Sequence, residues 1–233
     1  MNSSFVAAAA VFLGLVSSAA AQTANLSALQ TGDDARGWEA VGRLDIDGKG
    51  FCTGALIAPD LVLTAAHCMF DSTTGERIDP TRIEFQAGLR NGRAAAYRDV
   101  AEAVIPAGYS FDGNVSNAMT RQDVALLRLS QPIRLGTIAP FETVDGLPAG
   151  AQVGIVSYAH DRAEAPSIEQ ACEVLGEQDG VHVMACSVDF GSSGAPIFLI
   201  EDGQARIASV VSAKAYLDDQ RVALGTSLAE PLA

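Results

Sequence analysis

Hydrophobic positions along this chain fall in short runs that are rich in β-branched residues and are mostly closed by Gly, Pro, Asp or Asn. Runs of this length, punctuated by turn residues, are typical of strands in an all-β sandwich or barrel. Six runs precede residue 130 and six follow residue 150. The predicted strands are residues 39–46, 51–58, 61–65, 82–87, 95–105 and 124–129, then 152–158, 168–175, 181–186, 196–200, 207–213 and 221–226.

Helical periodicity is weak after residue 21, where only a turn around residues 65–70 and another near residues 227–232 are predicted. Strands and helices do not alternate, so a doubly wound parallel sheet is not expected. The Pro- and Gly-rich segment 130–150 separates the two sets of strands. We therefore expect one domain over residues 37–233, with one lobe at about 37–135 and a second at about 136–233.

The first 21 residues contain no charged side chain, and residues 5–16 form an apolar run of about the length found in signal peptides. Small residues precede Gln22, as the usual cleavage rule requires. A buried N-terminal helix is the alternative, which the Ser/Ala-rich sequence without a polar face suits poorly. We predict a signal peptide at 1–21 and a secreted or periplasmic protein. The polar segment 22–36 is expected to be a mobile leader or a short propeptide that ends at Arg36.

Length and composition bear on the size of the core and on the class of binding partner. At 233 residues and 48% hydrophobic content, the chain is long enough to bury a core of one large or two small units. Its formal net charge of −13 argues against binding to nucleic acid or to an anionic membrane surface. We expect a monomer whose partners are proteins or peptides.

Four cysteines in an exported chain suggest two disulfides. Three connectivities are possible, and local pairing of Cys52 with Cys68 and of Cys172 with Cys186 is the simplest. Zinc is the alternative, but the chain has no Cys-x-x-Cys pair, and His67 is the only histidine beside a cysteine. We therefore expect neither a metal site nor a cofactor.

Three segments supply a histidine, an acid and a serine in that order: 64–68 (TAAHC), 123–127 (DVALL) and 191–196 (GSSGAP). A serine hydroxyl is a weak nucleophile until a base takes its proton and a third group orients that base. Among the acids, Asp123 opens an apolar strand that would bury its carboxylate, unlike the competing Asp99 and Asp112. Ser192 is an alternative nucleophile. His160 and His182 have no partnering motif and are expected to be surface or packed residues, and Trp38 a packing residue.

These three segments resemble the signatures of trypsin- or chymotrypsin-like serine proteases, whose order is also His, Asp, Ser. Residues 51–57 (FCTGALI) resemble the strand before the histidine, and residues 210–212 (VVS) resemble the strand along the substrate cleft. The resemblance implies two antiparallel six-stranded β-barrels with the active site in the cleft between them. An α/β-hydrolase would place the serine first, so the order of the three segments argues against that fold. The same order argues against a serine esterase or peptidase of another fold.

The resemblance also implies a role for each residue. Ser193 would attack the scissile carbonyl, His67 would act as general base and then general acid, and Asp123 would orient the histidine. The backbone N–H groups of Gly191 and Ser193 would form the oxyanion hole. Ser212 would lie beside Asp123, on a strand that pairs with the substrate backbone.

The chain departs from the common pattern around the nucleophile, where Ser192 replaces an Asp and Ala195 replaces a Gly. In pancreatic-type enzymes that Asp pairs with a newly cleaved N-terminus, so this switch cannot work here in the same form. Exported bacterial members look more like this chain. We expect the oxyanion loop to be held otherwise, and the pair Cys172 and Cys186 is one candidate.

Specificity is less directly encoded. Ser187 lies where the resemblance puts the base of the primary pocket, and Asp189 is out of register by two residues, which argues against Arg/Lys specificity. Lys214 takes the place of a cleft-wall glycine, where it would narrow the pocket, attract an acidic side chain or, as we expect, reach solvent. A neutral, apolar or small side chain is predicted. The predicted function is an exported serine endopeptidase that works through an acyl-enzyme, and the alternative is a catalytically silent binding protein of the same fold.

Overall fold

The computed structural model describes residues 26–113, 116–189 and 191–228, so the predicted signal peptide lies outside the described residues. Within these ranges no helix is both long and apolar enough to cross a membrane. The strands are β1 (Leu26–Ala28), β2 (Val41–Ile46), β3 (Gly50–Ala58), β4 (Leu61–Thr64), β5 (Ile83–Ala87), β6 (Ala96–Val104), β7 (Ala125–Leu129), β8 (Gln152–Ala159), β9 (Arg162–Gln178), β10 (Val181–Met184), β11 (Pro196–Glu201), β12 (Gln204–Leu217) and β13 (Gln220–Ser227).

The first lobe is a closed antiparallel barrel with the strand order β2-β3-β4-β7-β6-β5. Alternate side chains along its strands point inward, and Leu44, Leu56, Phe85 and Leu127 are completely buried. Strand β2 passes so close to β5 that a Cβ at Gly42 would lie 2.4 Å from the ring of Phe85. A glycine at this position therefore lets the barrel close around its aromatic core.

The second lobe is an antiparallel sheet in which β9, β10, β13, β12, β11 and β8 follow one another. Because β8 pairs with β9 as well as with β11, these six strands form a closed circuit. Its interior contains Met184, Ile197 and Val211. The prediction of two six-stranded antiparallel barrels is thereby confirmed, with β1 as a seventh strand on the edge of β9.

Each predicted strand is present, but two are much longer than predicted. Strand β9 extends beyond the predicted 168–175 at both ends, and β12 extends beyond 207–213. The predicted helical turn is a 3-10 turn at Ala66–Met69. A second 3-10 turn at Pro80–Arg82 and the short helix α1 (Asn117–Thr120) were not predicted. Of the turn expected at 227–232, Ser227 instead ends β13, and residues 229–232 lie outside the described residues.

The N-terminal segment differs from the expected mobile leader. Leu26–Ala28 pairs with Ser167–Glu169 of β9, and the N–H of Leu29 donates to the carbonyl of Pro166 at 2.9 Å. Leu29 and Ala35 are buried in a cluster that contains side chains from both lobes. The hydrophobic residues within this polar stretch explain the difference, because they add to the core between the barrels. Trp38 packs on Phe198 in the same cluster, as expected of a packing residue.

Candidate active site

The predicted histidine and acid come from the first lobe and the predicted serine from the second. His67 lies in the 3-10 turn that follows β4, Asp123 lies just before β7, and Ser193 lies just before β11. Strands β4 and β7 pair antiparallel, with Thr64 opposite Ala125. This pairing brings the turn that follows β4 close to the segment that precedes β7, and so places His67 beside Asp123.

Asp123 holds His67 through two hydrogen bonds. Its Oδ2 lies 2.7 Å from Nδ1 of the imidazole, and its Oδ1 accepts from the backbone N–H of His67 at 2.8 Å. The hydroxyl of Ser212 on β12 donates to Oδ2. Asp123 is fully buried, whereas His67 is partly exposed. A carboxylate on Nδ1 favours the tautomer with the proton on Nδ1, which leaves Nε2 free to accept a proton.

The second lobe also fixes the segment that carries Asp123. The hydroxyl of Thr226 on β13 lies 2.6 Å from the carbonyl oxygen of Thr120, at the end of α1, and 3.2 Å from the carbonyl oxygen of Asp123. The contact between Thr226 and Thr120 was missed by sequence reasoning because no local motif marks it.

The buried charge of Asp123 also affects a neighbouring phenol. Burial, and secondarily the charge of Asp123, raises the pKa of Tyr109 far above its usual range.

Backbone conformation around Ser193 requires glycine on both sides. Gly191 has φ +96° and Gly194 has φ +74°, which residues with a side chain rarely adopt. A Cβ at Gly191 would lie 2.4 Å from the ring of Phe51, and one at Gly194 would lie 2.0 Å from Oγ1 of Thr64. The loop is tied to the first lobe by the N–H of Thr53, which donates to the carbonyl of Ser193 at 2.9 Å.

His67 and Ser193 line two adjoining cavities in the cleft between the lobes. The larger, of about 590 Å³, is also lined by Phe51, His160 and Gly191. The smaller, of about 360 Å³, is bounded by Asp123, by residues 188–189 and by residues 211–214 of β12. A polypeptide that crosses the cleft would therefore have room on both sides of Ser193.

Two of the three predicted substrate-binding residues lie at the smaller cavity. Ser212 and Lys214 line it, whereas Ser187 is not among its described lining residues, where Val188 and Asp189 stand instead. Lys214 is exposed, in line with the expectation that it reaches solvent, and its ammonium also donates to Oδ1 of Asp189 at 2.9 Å. The sequence did not reveal this ion pair, since Lys214 lies on β12 and Asp189 lies in the segment between β10 and β11.

Ser187 instead contacts a buried acid that sequence reasoning missed. Its backbone N–H lies 2.8 Å and 3.1 Å from the two carboxylate oxygens of Glu169, a residue of β9 that is 6% exposed. Burial raises the pKa of Glu169, against the opposing effects of the Ser187 hydrogen bond and of the Arg162 charge. A charged residue inside a predicted strand was the one available signal.

The competing candidates have different surroundings, although His160 also lines the larger cavity. Ser192 is completely buried, and its hydroxyl donates to Oγ of Ser157 at 3.2 Å. Asp99 faces Glu84 across strands β5 and β6, and Asp112 is exposed. His160 is exposed, whereas His182 is completely buried in β10.

Both predicted disulfides are present, and they bear on the zinc alternative. Cys52 is bonded to Cys68 and Cys172 to Cys186, as local pairing predicts. The sulfurs of Cys52 and Cys68 and a ring nitrogen of His67 lie within 4.8 Å of one another. Because both sulfurs are engaged in the disulfide, they offer no thiolate, and this trio does not fit a zinc site.

Comparisons with known proteins agree with this architecture. Residues 52–206 match the family model of the trypsin-like peptidase domain. A glutamyl endopeptidase of Bacillus licheniformis is 28% identical over 153 residues, which cover 64% of this chain and 45% of that protein. Serine protease 23 of Mus musculus is 27% identical over 194 residues, which cover 68% of this chain and 49% of that protein. The chain thus spans about half the length of the curated relatives it matches.

Solved structures show the same fold at low sequence identity. A Glu endopeptidase in complex with MPD superposes with a TM-score of 0.73 at 18% identity, over 89% of this chain and 93% of that one. An inactivated protease paralogue of the scabies mite has a TM-score of 0.64 at 15% identity, over 82% and 88%. With the family model matched over more than half of the sequence, the two barrels and the ordered histidine, acid and serine segments, this chain belongs to the trypsin-like serine protease family.

Proposed function

We propose that this protein is an exported serine endopeptidase that hydrolyses peptide bonds with His67, Asp123 and Ser193 through an acyl-enzyme. The observation that carries the proposal is the buried carboxylate of Asp123 at 2.7 Å from Nδ1 of a histidine that shares its cleft with Ser193. A buried acid, an oriented imidazole and a serine on a glycine-flanked turn are the parts that activate a serine hydroxyl.

In the proposed reaction, Oγ of Ser193 attacks the scissile carbonyl carbon while Nε2 of His67 takes its proton. Collapse of the tetrahedral intermediate breaks the C–N bond, and His67 returns that proton to the leaving amine. Water then attacks the acyl-enzyme ester with His67 as the base, which releases the acid product and restores the Ser193 hydroxyl. Asp123 stays ionised throughout and stabilises the imidazolium.

The carbonyl oxygen becomes negatively charged in the two tetrahedral intermediates, one formed by attack of Ser193 and one by attack of water, and the proposed donors are the N–H groups of Gly191 and Ser193. No described residue accepts a hydrogen bond from either amide, which supports their availability to a substrate. Gly191 borders the larger cavity, and Ser193 borders both. Loss of one such donor typically costs about 10²–10³ in rate.

The substrate is proposed to be an extended polypeptide with a neutral, apolar or small residue before the cut. The smaller cavity has the apolar walls Val188, Val211 and Ala213, and the charge of Lys214 is balanced by Asp189. The name of the Bacillus relative raises glutamate as the competing preference. In that case Lys214 would have to exchange Asp189 for the substrate carboxylate.

Export is proposed from the apolar, uncharged segment 1–21 and from the two disulfides, because disulfides persist in the periplasm and outside the cell.

The test uses protein beginning at Gln22 and its Ser193→Ala variant with a peptide library read by mass spectrometry. We expect cleavage by the first and none by the second, with fluorophosphonate labelling of the first alone. Cuts mainly after glutamate would overturn the neutral preference. A correctly folded protein that neither cleaves nor is labelled would favour the silent binding protein over the enzyme.

A further inference from the structure

The segment 187–193 leads to the proposed nucleophile and supplies both proposed oxyanion donors, yet it lacks the acid that common relatives place before the serine. In its place Ser192 is completely buried. Its hydroxyl lies 3.2 Å from Oγ of Ser157 and 3.4 Å from the carbonyl oxygen of Tyr158, both on β8. The residue before Ser193 is therefore anchored to a strand of its own lobe.

Ser157 connects this anchor to a positive charge. Nη2 of Arg162, the first residue of β9, donates to Oγ of Ser157 at 3.3 Å. The Arg162 side chain is only 16% exposed, and its Nη1 pairs at 3.0 Å with Asp161, which is largely exposed. Hydrogen bonds thus connect the guanidinium of Arg162, through Ser157, to Ser192 in the segment 187–193.

The other end of the segment, at Ser187, is held by β9, the strand that also contains Arg162. The carboxylate of Glu169 receives the backbone N–H of Ser187 through both of its oxygens. Hydrogen bonds to a charged acceptor are stronger than neutral ones. Strand β9 thus holds Ser187 directly through Glu169, and holds Ser192 indirectly through Arg162 and Ser157 of β8.

Such anchoring matters because oxyanion donors act only if they already point at the developing charge. The segment includes a glycine with positive φ, which leaves its backbone many alternatives when it is not held. A loop held by groups within the folded domain does not need a charge supplied from elsewhere.

We infer that Arg162, acting through Ser157 on Ser192, and Glu169, acting on Ser187, are positioning residues that hold the oxyanion loop in its active arrangement, so that activity requires no newly cleaved N-terminus. This inference rests on the proposed function, because it assigns the residues that prepare that site.

The first experiment is a double-mutant cycle of Ser192→Ala and Arg162→Gln. Each single variant is expected to lower kcat by about tenfold or more, with KM changed by less than about threefold. Because both residues act through the same series of hydrogen bonds, the kcat of the double variant is expected to equal that of the less active single variant. If the two residues acted independently, the two fold-losses in kcat would multiply. Arg206→Gln is the matched control, because it removes an arginine whose Nη2 donates to Glu201 in the β11–β12 hairpin, outside the loop and both cavities. We expect it to retain kcat.

Hydrogen exchange read by mass spectrometry tests the positioning without relying on activity. Peptides that cover residues 187–193 are expected to exchange faster in Ser192→Ala and Arg162→Gln than in the wild type, and at the wild-type rate in Arg206→Gln. If the wild type proves inactive but this pattern appears, the proposed function fails while the positioning role stands. Unchanged exchange in that segment, or kcat within twofold of an active wild type, would overturn the inference.

A tagged protein tests whether activity requires a free N-terminus. Protein that carries an uncleaved affinity tag before Gln22, verified intact after the assay, is expected to match the untagged protein in kcat within about twofold. Activity that arises only after the tag is removed would show that a free N-terminus is required and would overturn the inference.

Discussion

Single side chains around the cleft show how the two lobes cooperate. Asp123 belongs to the first lobe, but its Oδ2 also accepts a hydrogen bond from Ser212 of the second. A buried carboxylate without enough donors is costly, so the hydroxyl both stabilises the charge and limits the directions in which the carboxylate can turn. The position of Ser212 beside Asp123 followed from the resemblance, and the structure brings the two together.

Replacement of Ser212 by Ala is therefore expected to lower kcat/KM by about tenfold, because a hydrogen bond to a charged group is worth about 1.5–3 kcal/mol and part of it is regained from solvent. Steady-state kinetics on the best library peptide measures the change. Unchanged kcat/KM in a folded variant would mean that His67 and the backbone alone hold Asp123.

A buried histidine outside the three motif segments is expected to make stability depend on pH. Burial lowers the pKa of His182, although Glu177 lies 3.6 Å from its Nδ1. In the unfolded chain this group titrates near its ordinary value of 6.5. Below that pH the unfolded state binds a proton that the folded state binds only at a lower pH. The contribution of His182 to the free energy of unfolding is therefore fully present above 6.5 and is lost as the pH falls.

The variant His182→Leu is expected to lose this dependence. Between about pH 7 and pH 5, the Tm of the wild type should fall more than that of the variant, because only the wild type carries the extra proton in its unfolded state. Thermal unfolding at several pH values measures the difference. Parallel curves for the two proteins would contradict the assignment.

Strands and turns were predicted best where a local pattern decides them. Hairpins such as β3–β4 and β12–β13 combine alternating side chains with turn residues, and Asp218 and Asp219 adopt positive φ at the second turn. The extra length of β9 and β12 was not predicted, because their outer parts are largely exposed and do not form a continuous apolar face. Short α1 was missed because four residues give no periodicity.

The two disulfides connect such elements and close loops of similar length, 16 and 14 residues in sequence separation. The paired variants Cys52→Ala/Cys68→Ala and Cys172→Ala/Cys186→Ala are each expected to lose roughly 2–4 kcal/mol of unfolding free energy. Urea unfolding measures the loss, with thiol titration of the denatured wild type as a control for oxidation. A pair whose removal leaves stability unchanged would not be a structural bridge in solution.

At the scale of the whole molecule, the N-terminal segment packs against both lobes. It adds β1 to the second barrel and places Leu29 and Ala35 in the cluster between the lobes, together with Val41 of the first and Val156 of the second. Residues 26–36 thus share the core of the domain that they were expected only to precede.

A chain that begins at Gly37 is therefore expected to be less stable than one that begins at Gln22. Burial of one leucine side chain alone contributes about 1.5–3 kcal/mol, so the shorter chain should unfold at a clearly lower temperature. Leu29→Ala in the longer chain serves as the graded control and should fall between the two. Equal Tm values for both chain lengths would support the interpretation of 22–36 as a dispensable leader.

The sequence alone was enough to predict the all-β class, twelve of the strands and the two cysteine pairs. It also contained the order of the segments around His67, Asp123 and Ser193. These features follow from side-chain alternation, turn residues and motif spacing, which are properties of neighbouring residues. The ion pair of Lys214 with Asp189, the contact of Glu169 with Ser187 and the relay from Arg162 to Ser192 join different elements. Such contacts exist only once the barrels close and their registers are set. They depend on distances between strands, which no local pattern encodes, and so only the tertiary structure decided them.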